Sequence, residues 1–231
     1  MDLELDILVI GAHPDDAEIG CGGTIAHYKK RGKKVGILEL SDGEPTPFGT
    51  VEKRMVEAKA ASEILQLDIR ITLDMTNRYI ENTIENRKKV SEVIRKYKPH
   101  ILITYPSNDW HPDHIAYHQI VNAAKFQAKL TKTEPEYPEY SPKYVFYYDH
   151  SHLKDINREV DFLVDISDSI EDKISALKVY KSQFVDNKKY LRIFDYIRER
   201  AGYLGYQIGV KYAEGFITSE YLIVDFENFK F

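Results

Sequence analysis

A single cysteine and a single tryptophan stand among 231 residues, and no apolar run approaches the roughly 20 residues of a membrane span. The lone Cys21 excludes an internal disulfide framework and fits a reducing compartment. The opening Met1-Asp2-Leu3-Glu4 is acidic, without a basic segment ahead of an apolar one, so no secretory leader is expected. Positive charge is also short. The 32 Lys and Arg face 37 Asp and Glu, and the net charge of −5 argues against a nucleic-acid partner. There is no internal repeat, and no linker long enough to separate two units. These absences predict a cytoplasmic globular protein, one domain over 1–231, with no membrane partner.

What the chain does have is short apolar runs alternating with amphipathic helical patterns. Strands are expected at 6–11, 35–40, 69–73 and 100–105, and helices at 17–31, 52–65, 83–97 and 112–130. This succession predicts an α/β, Rossmann-like fold, with a mostly parallel sheet and helices on both faces. Pro135, Pro138 and Pro142 make 131–143 read as a mobile surface loop. Beyond it come strands at 144–148 and 162–166, helices at 169–184 and 190–204, and a last strand at 221–226.

The first strand runs into Ala12-His13-Pro14-Asp15-Asp16-Ala17-Glu18. Three titratable groups at the mouth of a buried strand are costly to desolvate, and a divalent metal is the obvious compensation. His13 and Asp16, three positions apart on one loop, can point at a single ion and leave Asp15 facing the substrate side. A bland alternative makes Asp15 and Glu18 a capping box for the following helix, but it accounts for neither His13 nor Asp16. A dinucleotide loop starting at Gly11 fails, because His13 and Asp16 occupy its second and third glycine positions and carboxylates repel a pyrophosphate. Gly20, Gly22 and Gly23 cost helix stability, and their use is close packing or close substrate approach.

His111-Pro112-Asp113-His114 follows the fourth strand, which adjoins the first in doubly wound sheets. His114 offers a third ligand. Asp113 is near enough to orient His111, and a histidine held protonated by an acid suits oxyanion stabilisation. His118, one helical turn beyond His114, reads first as structural and second as a ligand. Ser41-Asp42-Gly43-Glu44, Asn77-Arg78 and Asp109 leave strands on the same edge and are candidates for substrate contact or plain turns.

Ala12-His13-Pro14-Asp15-Asp16-Ala17-Glu18-Ile19-Gly20-Cys21-Gly22-Gly23 and His111-Pro112-Asp113-His114 resemble the paired signatures of the PIG-L/LmbE-like zinc N-deacetylases. Arg54-Met55-Val56-Glu57-Ala58 is similar to a further segment of that family. Ser182-Gln183-Phe184 and Ile208-Gly209-Val210-Lys211-Tyr212-Ala213-Glu214-Gly215-Phe216 resemble the tail of its bacillithiol branch, which deacetylates N-acetylglucosaminyl malate. The resemblance implies Zn2+ held by His13, Asp16 and His114, Asp15 as general base, and His111 as oxyanion stabiliser oriented by Asp113. It also implies Arg54 on sugar hydroxyls or a substrate carboxylate, and a homo-oligomer, with a hexamer as one form. Where the branch carries an arginine before the second signature, this chain has Trp110. An indole stacks on a sugar ring but cannot pair with malate, so a chitooligosaccharide is the alternative substrate. A glucosaminide-conjugate amidase and a catalytically silent zinc- or sugar-binding protein complete the alternatives.

Overall fold

The computed structural model describes residues 3–46, 48–106, 111–132, 135–149, 160–186, 190 and 192–222. Strands β1 (Ile7–Gly11) and β2 (Val35–Glu39) are buried along their whole length. Strands without a polar face belong in the middle of a layered sheet, and the topology puts them there. With β3 (Ile69–Thr72), β4 (Ile101–Thr104), β5 (Tyr144–Tyr148), β6 (Phe162–Asp165) and β7 (Ala213–Thr218), the order is β3-β2-β1-β4-β5-β7-β6. The pairs from β3 through β5 are parallel, and β7 runs antiparallel to both β5 and β6. The chain winds outward in two directions from the β1/β4 boundary. A crevice opens at the carboxyl ends of strands at such a reversal.

Helices α1 (Asp16–Lys29), α2 (Val51–Leu65) and α5 (Ile170–Lys178) pack together, while α3 (Ile84–Tyr97) packs on α4 (Pro112–Ala128). Helix α6 (Ile193–Gln207) covers β7. Thr50 and Thr83 cap α2 and α3 by accepting from Lys53 N–H at 3.3 Å and Asn86 N–H at 3.1 Å.

Two expectations change. The helix expected over 169–184 ends at Lys178, and Lys181–Val185 forms one π-helical turn. The wider turn buries Ser182 and Phe184 together and lets the Tyr180 hydroxyl reach Glu18 at 3.0 Å. The last strand is Ala213–Thr218; Tyr221 and Leu222 are not in a strand, and 223–226 lie outside the described residues. The proline-rich segment is anchored at Tyr137 and Tyr140 among its described residues. The guanidinium of buried Arg95 donates to the carbonyls of Gln127, Ala128, Leu130 and Tyr137, and Tyr140 N–H donates to Ala128 O at 2.9 Å.

Candidate active site

The two signatures meet at the β1/β4 boundary. Asp15 stands at the N-cap of α1 with φ 108°, in the left-handed region that a non-glycine residue occupies only under support. Its side chain makes no capping bond, so the capping-box reading fails. Glu18, the other half of that box, points away to Arg70 Nη1 at 2.8 Å. The neighbouring Asp16 turns back onto the loop, and its Oδ2 accepts from His13 N–H at 2.7 Å.

Pro112 begins α4, whose preceding residue, His111, caps it by accepting Asp113 N–H on Nδ1 at 3.2 Å. His114 faces the first loop. Its Nε2 lies 3.9 Å from Asp16 Oδ1, and His13 Nδ1 lies 3.4 Å from Asp16 Oδ2. One ligand atom from each of His13, Asp16 and His114 falls within 4.8 Å of the other two. A tetrahedral ion with bonds of roughly 2.0–2.1 Å keeps its donors about 3.3 Å apart. The set therefore closes around an ion with small side-chain movements, and its two imidazoles and one carboxylate leave a position open. The donor chemistry fits a divalent metal.

Electrostatics distinguishes the clustered groups. Burial pushes the Asp15 carboxyl up to about 8, against the attraction of Arg54, whose Nη1 is 3.6 Å away. Burial would lower His13, but Asp113 and Asp16 outweigh it and hold its ring at about 10 while no ion is bound. Burial, together with His114 and His13, lowers His111. An Nδ1 that accepts a backbone N–H leaves the proton of a neutral imidazole on Nε2. Whenever the His111 ring is neutral, this geometry leaves it an Nε2 donor, whereas the sequence led to the expectation of a protonated ring.

Asp113 also departs from expectation. Its backbone N–H meets His111, but its carboxylate accepts from Arg78 N–H at 2.7 Å and lies 3.4 Å from His13 Nε2. Despite burial, those contacts hold Asp113 below the usual carboxylate range. Arg54, expected on substrate, is buried and donates to Pro14 O at 3.0 Å, bracing the first loop beside Asp15. Trp110 and Asp109 lie outside the described residues. His118 is structural: Nδ1 is 3.0 Å from Tyr105 O and Nε2 is 2.8 Å from Asn122 Nδ2. Ser41 and Asp42 close a turn, accepting Gly43 N–H at 3.0 Å and Glu44 N–H at 2.9 Å.

Two residues of the site went unmarked or weakly marked in the sequence. Tyr105, directly after β4, stacks on His114 with centroids 4.2 Å apart, and His114 in turn stacks on His111 at 4.6 Å. An aromatic residue closing the strand before the second signature was the available signal. Arg78 acts through its backbone, which no side-chain pattern reveals.

Residues 8–125 match the family model described as PIG-L, GlcNAc-PI de-N-acetylase. A diacetylchitobiose deacetylase of Thermococcus kodakarensis is 32% identical over 90% of this chain and 81% of its own length. The crystal structure of a conserved protein from Thermus thermophilus superposes with a TM-score of 0.88 at 35% identity, over 96% of this chain and 98% of that one. An N,N'-diacetylchitobiose deacetylase from Pyrococcus horikoshii does so with a TM-score of 0.79 at 25% identity, over 91% and 82%. Among the described residues, no helix is long and apolar enough to cross a membrane. The chain belongs to the PIG-L family and is an amide hydrolase of its deacetylase type.

Proposed function

We propose that the chain is a zinc-dependent hydrolase that removes acetyl from a small N-acetylglucosaminide, with diacetylchitobiose a better candidate than N-acetylglucosaminyl malate. The observation that carries the reading is the convergence of His13, Asp16 and His114 donors within 4.8 Å, beside the Asp15 carboxyl, which caps no helix. Two imidazoles and one carboxylate are a donor set suited to catalytic zinc. A zinc ion there supplies Lewis-acid polarisation of the amide carbonyl and of the attacking water.

The protein residues do the rest. Asp15, beside the donor set and capping no helix, takes the proton of the attacking water as a carboxylate and returns it to the departing amine. His111 donates Nε2–H to the carbonyl oxygen as charge develops there. Asp113 fixes His13 and ties the Arg78 backbone to the site, so the first and second signatures move together. Arg54 holds the loop at Pro14 O beside Asp15.

The diacetylchitobiose preference rests on the names of two relatives with the similarities given above. The malate conjugate is the second reading, and the tail from Ile208 to Phe216 favours it. The deciding assay is acetate release from each substrate, with and without a chelator. Chelator-sensitive release from diacetylchitobiose well above that from the malate conjugate is expected; the reverse order assigns the malate conjugate. Asp15→Asn is expected to keep zinc and lose turnover by about 10²–10⁴, and wild-type turnover in it overturns the base assignment. His114→Ala is expected to lose zinc.

A further inference from the structure

Helix α1 is not continuous. At Cys21 the backbone leaves helical geometry (φ −145°, ψ 28°), which separates the first turn, carrying Asp16, from the remainder. A break in a helix orphans carbonyls on one side and N–H groups on the other. Residues 20–24 around the break are all buried, so its polar groups need partners within the protein or an enclosed water.

Two side chains from the far end of the sequence fill the break. Lys173 on α5 donates Nζ to Ile19 O at 2.7 Å, the carbonyl end of the first turn. Glu214 on β7 accepts Gly23 N–H at 3.0 Å and Thr24 N–H at 2.7 Å, the amide end of the second segment. The two groups meet each other at 2.5 Å, and each residue is only 4% exposed. The cation sits at a helix C-terminus and the anion at a helix N-terminus, the arrangement that backbone dipoles favour.

The glycines make room for this pair. A Cβ on Gly22 would lie 3.2 Å from Lys173 Cγ, and one on Gly23 would lie 3.1 Å from Glu214 Oε1 and 2.6 Å from Ile166 Cδ1. The connection to the site runs through one residue. Ile19, whose carbonyl Lys173 holds, gives its N–H to Asp15 O at 2.9 Å. Asp15 stands in the left-handed region, so its turn needs support from outside.

We propose that Lys173 and Glu214 are positioning residues, matched in charge to the broken ends of α1, that hold the Asp15-Asp16 turn in register with His114. Both lie outside the 8–125 segment that matches the family model. The inference rests on the metal-site reading above. Cys21, fully buried in the break, adds a readout that needs neither metal nor substrate.

Glu214→Gln keeps the side-chain volume and one acceptor, and strips Lys173 of its anion. With far-UV circular dichroism unchanged, zinc affinity by chelator competition is expected to fall by about 10–100-fold. In the metal-free protein, Cys21 should react with a thiol reagent about tenfold faster, since reaction requires the break to open. In the zinc-saturated variant, kcat should fall with KM held, because the base and not the substrate contacts has moved. A Lys173→Glu/Glu214→Lys swap restores a charge pair but sets each charge against the wrong helix end, and it is expected not to rescue. Zinc affinity and Cys21 labelling within about twofold of wild type in Glu214→Gln overturn the proposal, as does rescue by the swap. Should Glu214→Gln fail to fold, Lys173→Met decides by the same readouts, since Glu214 keeps its two N–H partners. A wild type that binds no zinc sinks the metal-site reading, and Cys21 labelling still tests the clamp.

Discussion

Gly20→Ala sets local propensity against packing within one turn of the metal-site residues. In a helix interior the change gains about 1 kcal/mol. A Cβ at Gly20, however, would lie 2.4, 2.5 and 2.8 Å from Cδ2, Cε2 and Cγ of Tyr148. That ring is fully buried and packs on Tyr105, with centroids 4.9 Å apart, so it has no open space to enter. Overpacking costs about 1–3 kcal/mol and occasionally more. Three contacts below van der Waals distance put this site at or beyond the upper end, and the net is about 2 kcal/mol of destabilisation. Gly202→Ala, inside α6, is the control. Its nearest neighbour would be Tyr212 Cε1 at 3.8 Å, an ordinary contact, so the propensity gain of about 0.5–1 kcal/mol survives. Urea denaturation of the chelated proteins reads both. Thermal midpoints should fall by about 4–8 °C for Gly20→Ala and rise by about 1–4 °C for Gly202→Ala. Both variants moving in the same direction, or Gly20→Ala at wild-type stability, refutes the reasoning.

Arg70 bridges Glu18 and Glu39, which are 0% and 1% exposed, so Arg70→Met strands two buried carboxylates. A loss of about 3–5 kcal/mol is expected in denaturant titration, and a loss below about 1 kcal/mol contradicts the pairing. Metal removal should make stability sensitive to alkali. Asp15, raised to about 8, and His13, raised to about 10, both keep protons that the unfolded chain has released, so the folded apoprotein binds more protons. Its stability therefore falls as pH rises: from the ordinary carboxylate range through about 8 for Asp15, and from the ordinary imidazole value through about 10 for His13. Thermal midpoints of chelated protein should drop between about pH 6.5 and 9 more than those of zinc-loaded protein, and zinc uptake at about pH 8 should release protons, seen by calorimetry in buffers of different ionisation enthalpy. Equal slopes for the two forms contradict the assignment.

The parallel half of the fold was legible because each strand there is a short apolar run and each helix has a spaced apolar face. The observed strand and helix ends fall within two residues of expectation from Ile7 to Tyr148. The last strand was not legible, and the reason is physical. Ala213-Glu214-Gly215-Phe216-Ile217-Thr218 carries a buried acid and a glycine, whereas Tyr221-Leu222-Ile223-Val224 has the stronger β composition. Glu214 is in the strand because the break in α1 needs an anion, and no local pattern encodes a partner 191 residues away. The π-helical turn is hidden for the same reason. Its shape answers to Glu57, whose carboxylate takes Ser182 N–H at 2.8 Å and Ser182 Oγ at 2.6 Å.

The clustering of the candidate site residues was legible in the sequence, and their pairing less so. His13, Asp16 and His114 were recoverable because strand ends at a sheet reversal converge, and residue type then limits what they can hold. Adjacency in sequence suggested the Asp113 carboxylate on His111, but Asp113 meets that ring through its backbone N–H. In a first helical turn the side chain two residues after the cap projects elsewhere, and here it meets His13 and the Arg78 backbone. The distinct partners of Asp15 and Asp16 turn on a single dihedral. With φ at 108°, Asp15 stands outside the helix near Arg54, and Asp16, the first helical residue, folds back onto His13. An ordinary backbone at residue 15 would continue the helix and change which carboxylate faces the loop. A strained residue is therefore what separates the two carboxylates, and it persists because Arg54 braces the loop on one side and the Ile19 N–H donates to Asp15 O on the other.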